Sequence, residues 1–469
     1  YGTGSVTNLV ASITQPGCNC GYGYDDNGNI ASATLNGKWT GYTYDALGQL
    51  IRVNDRSDTR AGDNGSTWVY EYDRGGNILS KKLYPYANTS GEPLQTMRFS
   101  YGNANWKDQL TAVDGIGITY DQIGNPLSDG TWQYTWENGR QLARMQSANV
   151  DARFVYNESG LRVQKIVNSI VTDYTLHGKN VVHMTKGNDE LHFFYDAQNR
   201  PAVVVYNNVP YAYVKNLQGD IVALLNGAGN VVVSYAYDAW GAPIGKSGSM
   251  AETLGTLNPF RYRGYVFDEE TGLYYLRSRY YNPRWGRFAN ADAEIAVEAK
   301  LWDAKLFLYC ANNPVRYTDD GGNSFWDVLA DCGKALLVAA VVVAVVAVVI
   351  AATGGGGGFA LAAAGGEIIS GAAVADAAMT TAVAAGATGA SLMFASRAGK
   401  KFEEDYYSNH YKSHNQAENG QFKEAVRRLK DNYDMNLTQD QQQRLHYAIR
   451  HKGYSLEEII EEALNMFGE

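Results

Sequence analysis

Residues that could act as acids, bases or metal ligands are sparse in this 469-residue chain, which carries seven His and four Cys. His410 and His414 stand four apart, a spacing that puts two ligands on one helix face. No Glu follows His410 and no third ligand is evident, so exposed histidines are the simpler reading. His446 and His451 are five apart and diverge on a helix. They lie among Arg444, Arg450 and Lys452, a setting for RNA contact or general acid–base work. Glu457, Glu458, Glu461 and Glu462 then reverse the sign, so a solvated charged face is the default. Cys18 and Cys20 are too close for an easy mutual disulfide, and Cys310 and Cys332 lie far away. No paired C-x-x-C is present, so the thiols read as structural or free, with no metal and no cofactor expected. No Ser-His-Asp pattern, Walker loop or H-E-x-x-H occurs, and no reaction declares itself.

The elements that would carry such residues follow from composition. The chain has 34 Tyr and 50 Gly against 10 Pro, which favours strands and tight turns over disorder. Hydrophobic content is 45% and charged content 19%, enough for ordinary cores. A net charge of -9 gives no general case for nucleic-acid binding by the body of the chain and leaves the tail open. Residue 1 is Tyr, no secretory leader pattern follows, and the chain opens inside repeat material. It reads as the C-terminal part of a longer protein.

The repeat is the main signal. "GYGYDDNGNI" at 21–30 and "GYTYDALGQL" at 41–50 share Tyr, Tyr-Asp, Gly, a polar residue and an aliphatic one. Further copies centre on Tyr72-Asp73, Tyr120-Asp121, Tyr156-Asn157, Tyr195-Asp196 and Tyr237-Asp238, and weaker ones include "QYTWENGRQL" and "AYVKNLQGDIV". Tyr42 and Tyr44 share one strand face. Asp45 accepts from the amides that follow it, Gly48 supplies a positive φ, and Leu50 and Val53 begin the return strand. Each unit is thus a β-hairpin, marginal alone and stable when stacked. The aspartates rebuild one turn and do no chemistry.

These units, over roughly residues 20–245, resemble the YD repeats of the RHS family and the teneurins, where the sheet spirals into a hollow shell. Residues 261–322 resemble the RHS repeat-associated core through "GLYYLRSRYYNPRWGRF", Asp292 and "LYCANNPVRYTD". From the sequence, "LYYLRSRYY" reads as one alternating strand, with Arg277 and Arg279 on one face and Tyr274, Leu276, Ser278 and Tyr280 on the other. Gly272 turns the chain before it, and Pro283 and Gly286 turn it after. Some members of the family cut themselves at the core through aspartates near two D-P-x-G motifs. The resemblance points to Asp292 and Asp319 as such a pair, which would need one protonated carboxyl beside an ionised one. Here the motifs read "NADA" and "DDGG", without the prolines, and the simpler alternative is that both aspartates cap turns.

After Gly322 the composition changes. Residues 335–352, "ALLVAAVVVAVVAVVIAA", are uncharged and near the minimum for a bilayer span. They read as a membrane-inserting helix, a helix held inside the shell until release, or a Gly/Ala linker, although a Val-rich run suits a linker poorly. The last 70 residues read as a small helical domain. Phe422, Val426, Leu429 and Tyr433 would share a face, with capping boxes at Thr438/Gln441 and Ser455/Glu458.

The expected organisation is a mainly β chain: repeats at 1–245, core at 246–322, an apolar translocation segment at 323–398 and a helical effector domain at 399–469. The resemblance implies a polymorphic toxin, secreted or at the cell surface. Its shell would deliver the tail in bacterial competition, with a cognate immunity protein and the target membrane as partners. The alternative is a surface-anchored adhesin that stacks carbohydrate on exposed aromatics.

Overall fold

The computed structural model describes residues 9–293, 305–319, 321–322 and 326–327, and, in the C-terminal part, 425–430, 441–442, 445, 459–460 and 463–464. The chain divides into two compact units, Tyr1–Leu392 and Met393–Glu469.

The hairpin at 38–55 shows how the repeat folds. Strand Lys38–Tyr44 pairs antiparallel with Leu50–Asp55, Tyr44 faces Leu50, and the register slips between Thr43 and Tyr44. Asp45 Oδ1 accepts from the amides of Leu47 and Gln49, each at 2.9 Å, and Oδ2 accepts from Gln49 Nε2 at 2.8 Å. Gly48 sits at φ +77°, where a β-carbon is strained. Asp25, Asp121 and Asp238 hold their turns through the same two amides, two and four residues on. In "YDAQNR" the glycine is missing and Asn199 takes the left-handed position at φ 62°.

The repeat tyrosine has a second task. Tyr44 Oη donates to the Ile30 carbonyl at 2.7 Å, Tyr72 to Leu50 at 2.6 Å and Tyr195 to Val181 at 2.6 Å, so each hairpin is tied to the preceding one. In the weaker copies the tie survives a change of residue. Trp136 Nε1 donates to Pro126 O at 2.7 Å, and Lys215 Nζ donates to Pro201 O at 2.9 Å. A donor of the right reach is what the position requires.

Stacking yields a continuous meander. A ten-stranded sheet runs from Ser12–Gln15 to Ile116–Gly117 and a fourteen-stranded sheet from Thr119–Tyr120 to Pro243–Ser247, each strand bonded to its neighbours in sequence. The meander curls until its start meets its later strands. Gln15 Nε2 donates to Lys215 O at 2.6 Å, and Tyr22 Oη accepts from the Leu217 amide at 3.0 Å. Cys18 and Cys20 are buried there against Val222 and Leu225. Both thiols lie outside any disulfide.

The core forms a four-stranded sheet of Val266–Asp268, Leu273–Tyr275, Tyr280–Asn282 and Arg287–Phe288. This corrects the single-strand reading of "LYYLRSRYY". Tyr274 pairs with Tyr281 and Tyr275 with Tyr280, so residues 276–279 form a tight reversal. Arg277 adopts φ 66°, and the Leu276 amide donates to Arg279 O at 2.9 Å. No Gly, Asn or Pro marks this turn, so sequence periodicity runs straight through it.

In the second unit every described residue is helical, and Ala425, Leu429, Leu445, Ile459, Ile460 and Ala463 form a buried cluster. Leu429 is buried as expected, with Ala425 beside it and Val426 partly buried. Phe422, Tyr433, Thr438, Ser455 and Glu458 lie outside the described residues, as does the apolar run 335–352. Among the described residues no helix is long and apolar enough to cross a membrane.

Candidate functional site

The core contacts the shell by occupying repeat turns. Asn312 Nδ2 donates to Gln49 Oε1 at 2.8 Å and to Gly76 O at 2.6 Å. Asn313 Nδ2 donates to Gly48 O at 2.9 Å and Asn29 Oδ1 at 3.2 Å, and Arg316 Nη1 reaches Asn27 O at 3.0 Å. "NNPVR" thus binds three successive turns through backbone and side-chain carbonyl oxygens of the repeat motif. Elsewhere between core and shell, Arg162 pairs with Asp268 at 2.6 Å, with the two side chains 2% and 0% exposed. Burial alone would raise the Asp268 pKa, but the charges of Arg162 and Lys165 outweigh it and hold the carboxyl below its usual range.

The turn at 276–279 places Arg279 between the two aspartates singled out above. Its Nη2 lies 3.1 Å from Asp292 Oδ2 and 3.2 Å from Asp319 Oδ2. All three side chains are at most 10% exposed. The guanidinium lies 3.5 Å over the Phe288 ring. Burial pulls the Arg279 pKa below the usual guanidinium range, against the opposing pull of Asp292 and Asp319. Asp292 is fixed by its amide, which donates to Leu306 O at 2.8 Å. Next to it, Ala291 O accepts from Arg140 Nη1 at 2.6 Å. The Asp319 amide donates to Tyr265 Oη at 2.8 Å.

A short piece of backbone lies across this cluster. Asp319 Oδ1 accepts from the Gly322 amide at 2.7 Å, and Ser278 Oγ donates to Gly321 O at 2.8 Å. Arg279 Nε donates to Gly322 O. Gly322 is at φ +77°, and a β-carbon there would stand 2.7 Å from Ser278 Oγ and 2.8 Å from Leu276 O. The second glycine of "DDGG" is therefore required by close approach. The arrangement combines two buried carboxylates, one cation and a peptide carbonyl that accepts from that cation. These are the components of an acid–base site with a stabilised oxyanion.

Sequence reasoning named Asp292, Asp319 and Gly322, and the structure brings them together around one arginine. It missed the part played by Arg279 and Ser278, because the unmarked turn hid their position. It also missed the turn-binding role of Asn312 and Asn313, although both lay inside a quoted motif. His410, His414, His446 and His451 lie outside the described residues. The repeat tyrosines use their hydroxyls on backbone carbonyls within the sheet.

Comparison with known proteins gives a consistent result. The tRNA3(Ser)-specific nuclease WapA of Bacillus spizizenii is 34% identical over 293 residues, which is 61% of this chain and 12% of that protein. The double-stranded DNA deaminase toxin A of Burkholderia cenocepacia is 25% identical over 339 residues, 69% of this chain and 22% of that one. This chain therefore spans only a small part of the length of these relatives. The crystal structure of TcdB2–TccC3–Cdc42 superposes with a TM-score of 0.53 at 20% identity, covering 68% of this chain and 17% of that one, and so shares the fold. With the Teneurin YD-shell family matching residues 24–315, well over half its length, the chain belongs to that family.

Proposed function

We propose that this chain is the delivery shell of a polymorphic toxin and that its core cuts the backbone near Gly322 to free the C-terminal segment as an effector in bacterial competition. The observation that carries this reading is the Arg279–Asp292–Asp319 cluster closed over the Gly321–Gly322 backbone. In the proposed reaction, one aspartate takes a proton from an attacking water. Arg279 stabilises the negative charge that develops on the Gly322 carbonyl oxygen, and the proton passes on to the leaving amine. The relatives that support the setting include WapA nucleases and the deaminase toxin.

In the same reading, residues 323–398 are a translocation segment and 399–469 a helical effector. The buried cluster of Ala425, Leu429, Leu445 and Ile459 supports the helical part. An immunity protein and the target membrane are the partners this organisation calls for.

The test is intact-mass analysis of the purified chain during incubation, beside Asp292→Asn, Asp319→Asn and Arg279→Met. Time-dependent appearance of a fragment that begins close after Gly322, lost in all three folded variants, is expected. A wild-type chain that stays whole under every condition at which it is folded would overturn the cut. Induced expression of residues 323–469 in bacterial cytoplasm or periplasm then tests the effector, and normal growth in both would overturn that part.

A further inference from the structure

The hairpin made by strands Asn180–Lys186 and Asp189–Tyr195 has one face in the core and one face away from it. Met184, Leu191 and Phe193 are buried in the core. Because side chains alternate, His183, Glu190 and His192 share the opposite face. His183 and His192 are direct cross-strand partners. Their rings stack with centroids 4.4 Å apart and planes 17° apart. Both turn the same edge toward one carboxylate. His183 Nε2 lies 2.9 Å and His192 Nε2 3.2 Å from Glu190 Oε1. The ligand atoms of the three residues all lie within 4.8 Å of one another.

We propose that His183, Glu190 and His192 form a divalent transition-metal site of the zinc class on the outer face of this hairpin. Directly opposed residues in an antiparallel pair hold their β-carbons about 4.5–5.5 Å apart, which lets two imidazoles reach one ion without moving the backbone. Zinc–ligand bonds run about 2.0–2.2 Å, so donor atoms up to about 4 Å apart can close on one centre after small side-chain rotations. Two neutral imidazoles and one carboxylate are a zinc-type donor set. Hard cations of the calcium class take oxygen ligands and would not use this pair. Composition also argues against accident. The chain has only seven histidines, and two of them occupy opposed positions on neighbouring strands beside a shared acid. Three protein ligands leave one tetrahedral position open at an accessible surface, for water or for a side chain of a docking protein. The metal would also pin two neighbouring strands of the large sheet.

The test is titration of the chelator-treated full chain with Zn²⁺, compared with His183→Ala/His192→Ala and Glu190→Gln. One additional equivalent in the wild type, absent from the double variant, is expected, with at least tenfold weaker binding at that site in Glu190→Gln. Thermal scans establish that each variant is folded, and Zn²⁺ should raise the wild-type midpoint more than that of the double variant. Co²⁺ should give visible absorption of tetrahedral type in the wild type and not in the double variant. Equal stoichiometry and affinity in the folded wild type and double variant would overturn the site and leave His183, Glu190 and His192 as a hydrogen-bonded surface cluster.

Discussion

The side-chain amide of Asn313 donates to the carbonyl oxygen of Gly48 across 2.9 Å in space and 265 residues in sequence. Gly48 is the left-handed residue of a repeat turn, and its carbonyl is left to accept from outside the hairpin because the turn is closed by Asp45. The core, the plug of this shell, therefore recognises what the repeat motif generates, and each repeat turn it occupies is a fixed address. The closing contacts span most of the described shell, so plug and shell should unfold as one unit.

Asn312 tests this directly. It is 1% exposed and donates to both Gln49 Oε1 and Gly76 O. Asn312→Ala leaves two buried acceptors without this donor, at a cost of about 1–3 kcal/mol per group. The urea midpoint should fall with the slope unchanged. A split of the single transition into two, with the shell lost at the same midpoint as wild type, would show that the plug is not part of the shell's cooperative unit.

Asp268 is a second contact of the core with the shell. Arg162 and Lys165 reach it at 2.6 and 3.2 Å in a site it occupies at 0% exposure. Asp268→Asn keeps the shape but leaves Arg162 without its buried counter-ion, while Lys165 keeps Glu270 at 2.7 Å, and about 3–5 kcal/mol of stability should be lost. In the wild type the Asp268 contribution is complete above the unfolded carboxyl pKa near 3.8 and is lost as pH falls through the lower folded value. The difference between wild type and Asp268→Asn in chemical denaturation should therefore shrink in acid. A difference that stays constant from neutral pH to below pH 3 would refute this assignment.

Lys81 gives a second pH signature with the opposite behaviour to an ordinary surface lysine. Its ammonium is buried, donating to Arg284 O at 3.0 Å and standing 4.9 Å from the Trp240 ring. Burial pulls its pKa from 10.5 down to about 7; Asp238 opposes the shift, while Arg60 and Arg284 add to it. Between pH 7 and 10.5 the unfolded chain binds the proton that the folded chain has released. Stability from this group therefore rises with pH across that window, and the penalty is fully present below it. Lys81→Met should flatten this slope in denaturation curves measured from pH 7 to 10. A slope identical to wild type would mean that Lys81 keeps its proton in the fold.

The parts of this architecture that could be read from sequence are those with a repeated local cause. The Tyr-Asp-x-x-Gly hairpin was readable because Asp45 and Gly48 act within four residues of each other, and repetition multiplied the signal. The meander followed, since a lone hairpin cannot bury its face. What could not be read depends on long-range geometry. The reversal at 276–279 carries no turn residue, and Arg277 is held at φ 66° by the surrounding fold. Without that reversal, Arg279 has no visible relation to Asp292 or Asp319. The His183–His192 pair was equally hidden, because the two histidines stand nine positions apart and only strand register brings them opposite. The donor role that passes from Tyr44 to Trp136 and Lys215 has no sequence signature, because residue type, not hydrogen-bond reach, defines a motif.

Gly322 ties the geometry of the cluster to the proposed cut. A β-carbon at this position would fall 2.7 Å from Ser278 Oγ and 2.8 Å from Leu276 O, at a φ of +77° that side chains rarely adopt. Gly322→Ala must therefore shift the backbone away from the turn that carries Arg279. The shift weakens the bonds from Asp319 Oδ1 to the Gly322 amide and from Arg279 to the Gly322 carbonyl. Both aspartates and the arginine remain in place, so the acid–base groups are intact while the scissile backbone is displaced. A 1 Å misplacement of reacting groups costs on the order of 100-fold in rate. Fragment release in Gly322→Ala should slow by about that factor, with the urea midpoint changed far less than in Asn312→Ala. Release at the wild-type rate from a folded Gly322→Ala chain would place the cut elsewhere and leave the clamp on Gly322 as a structural closure.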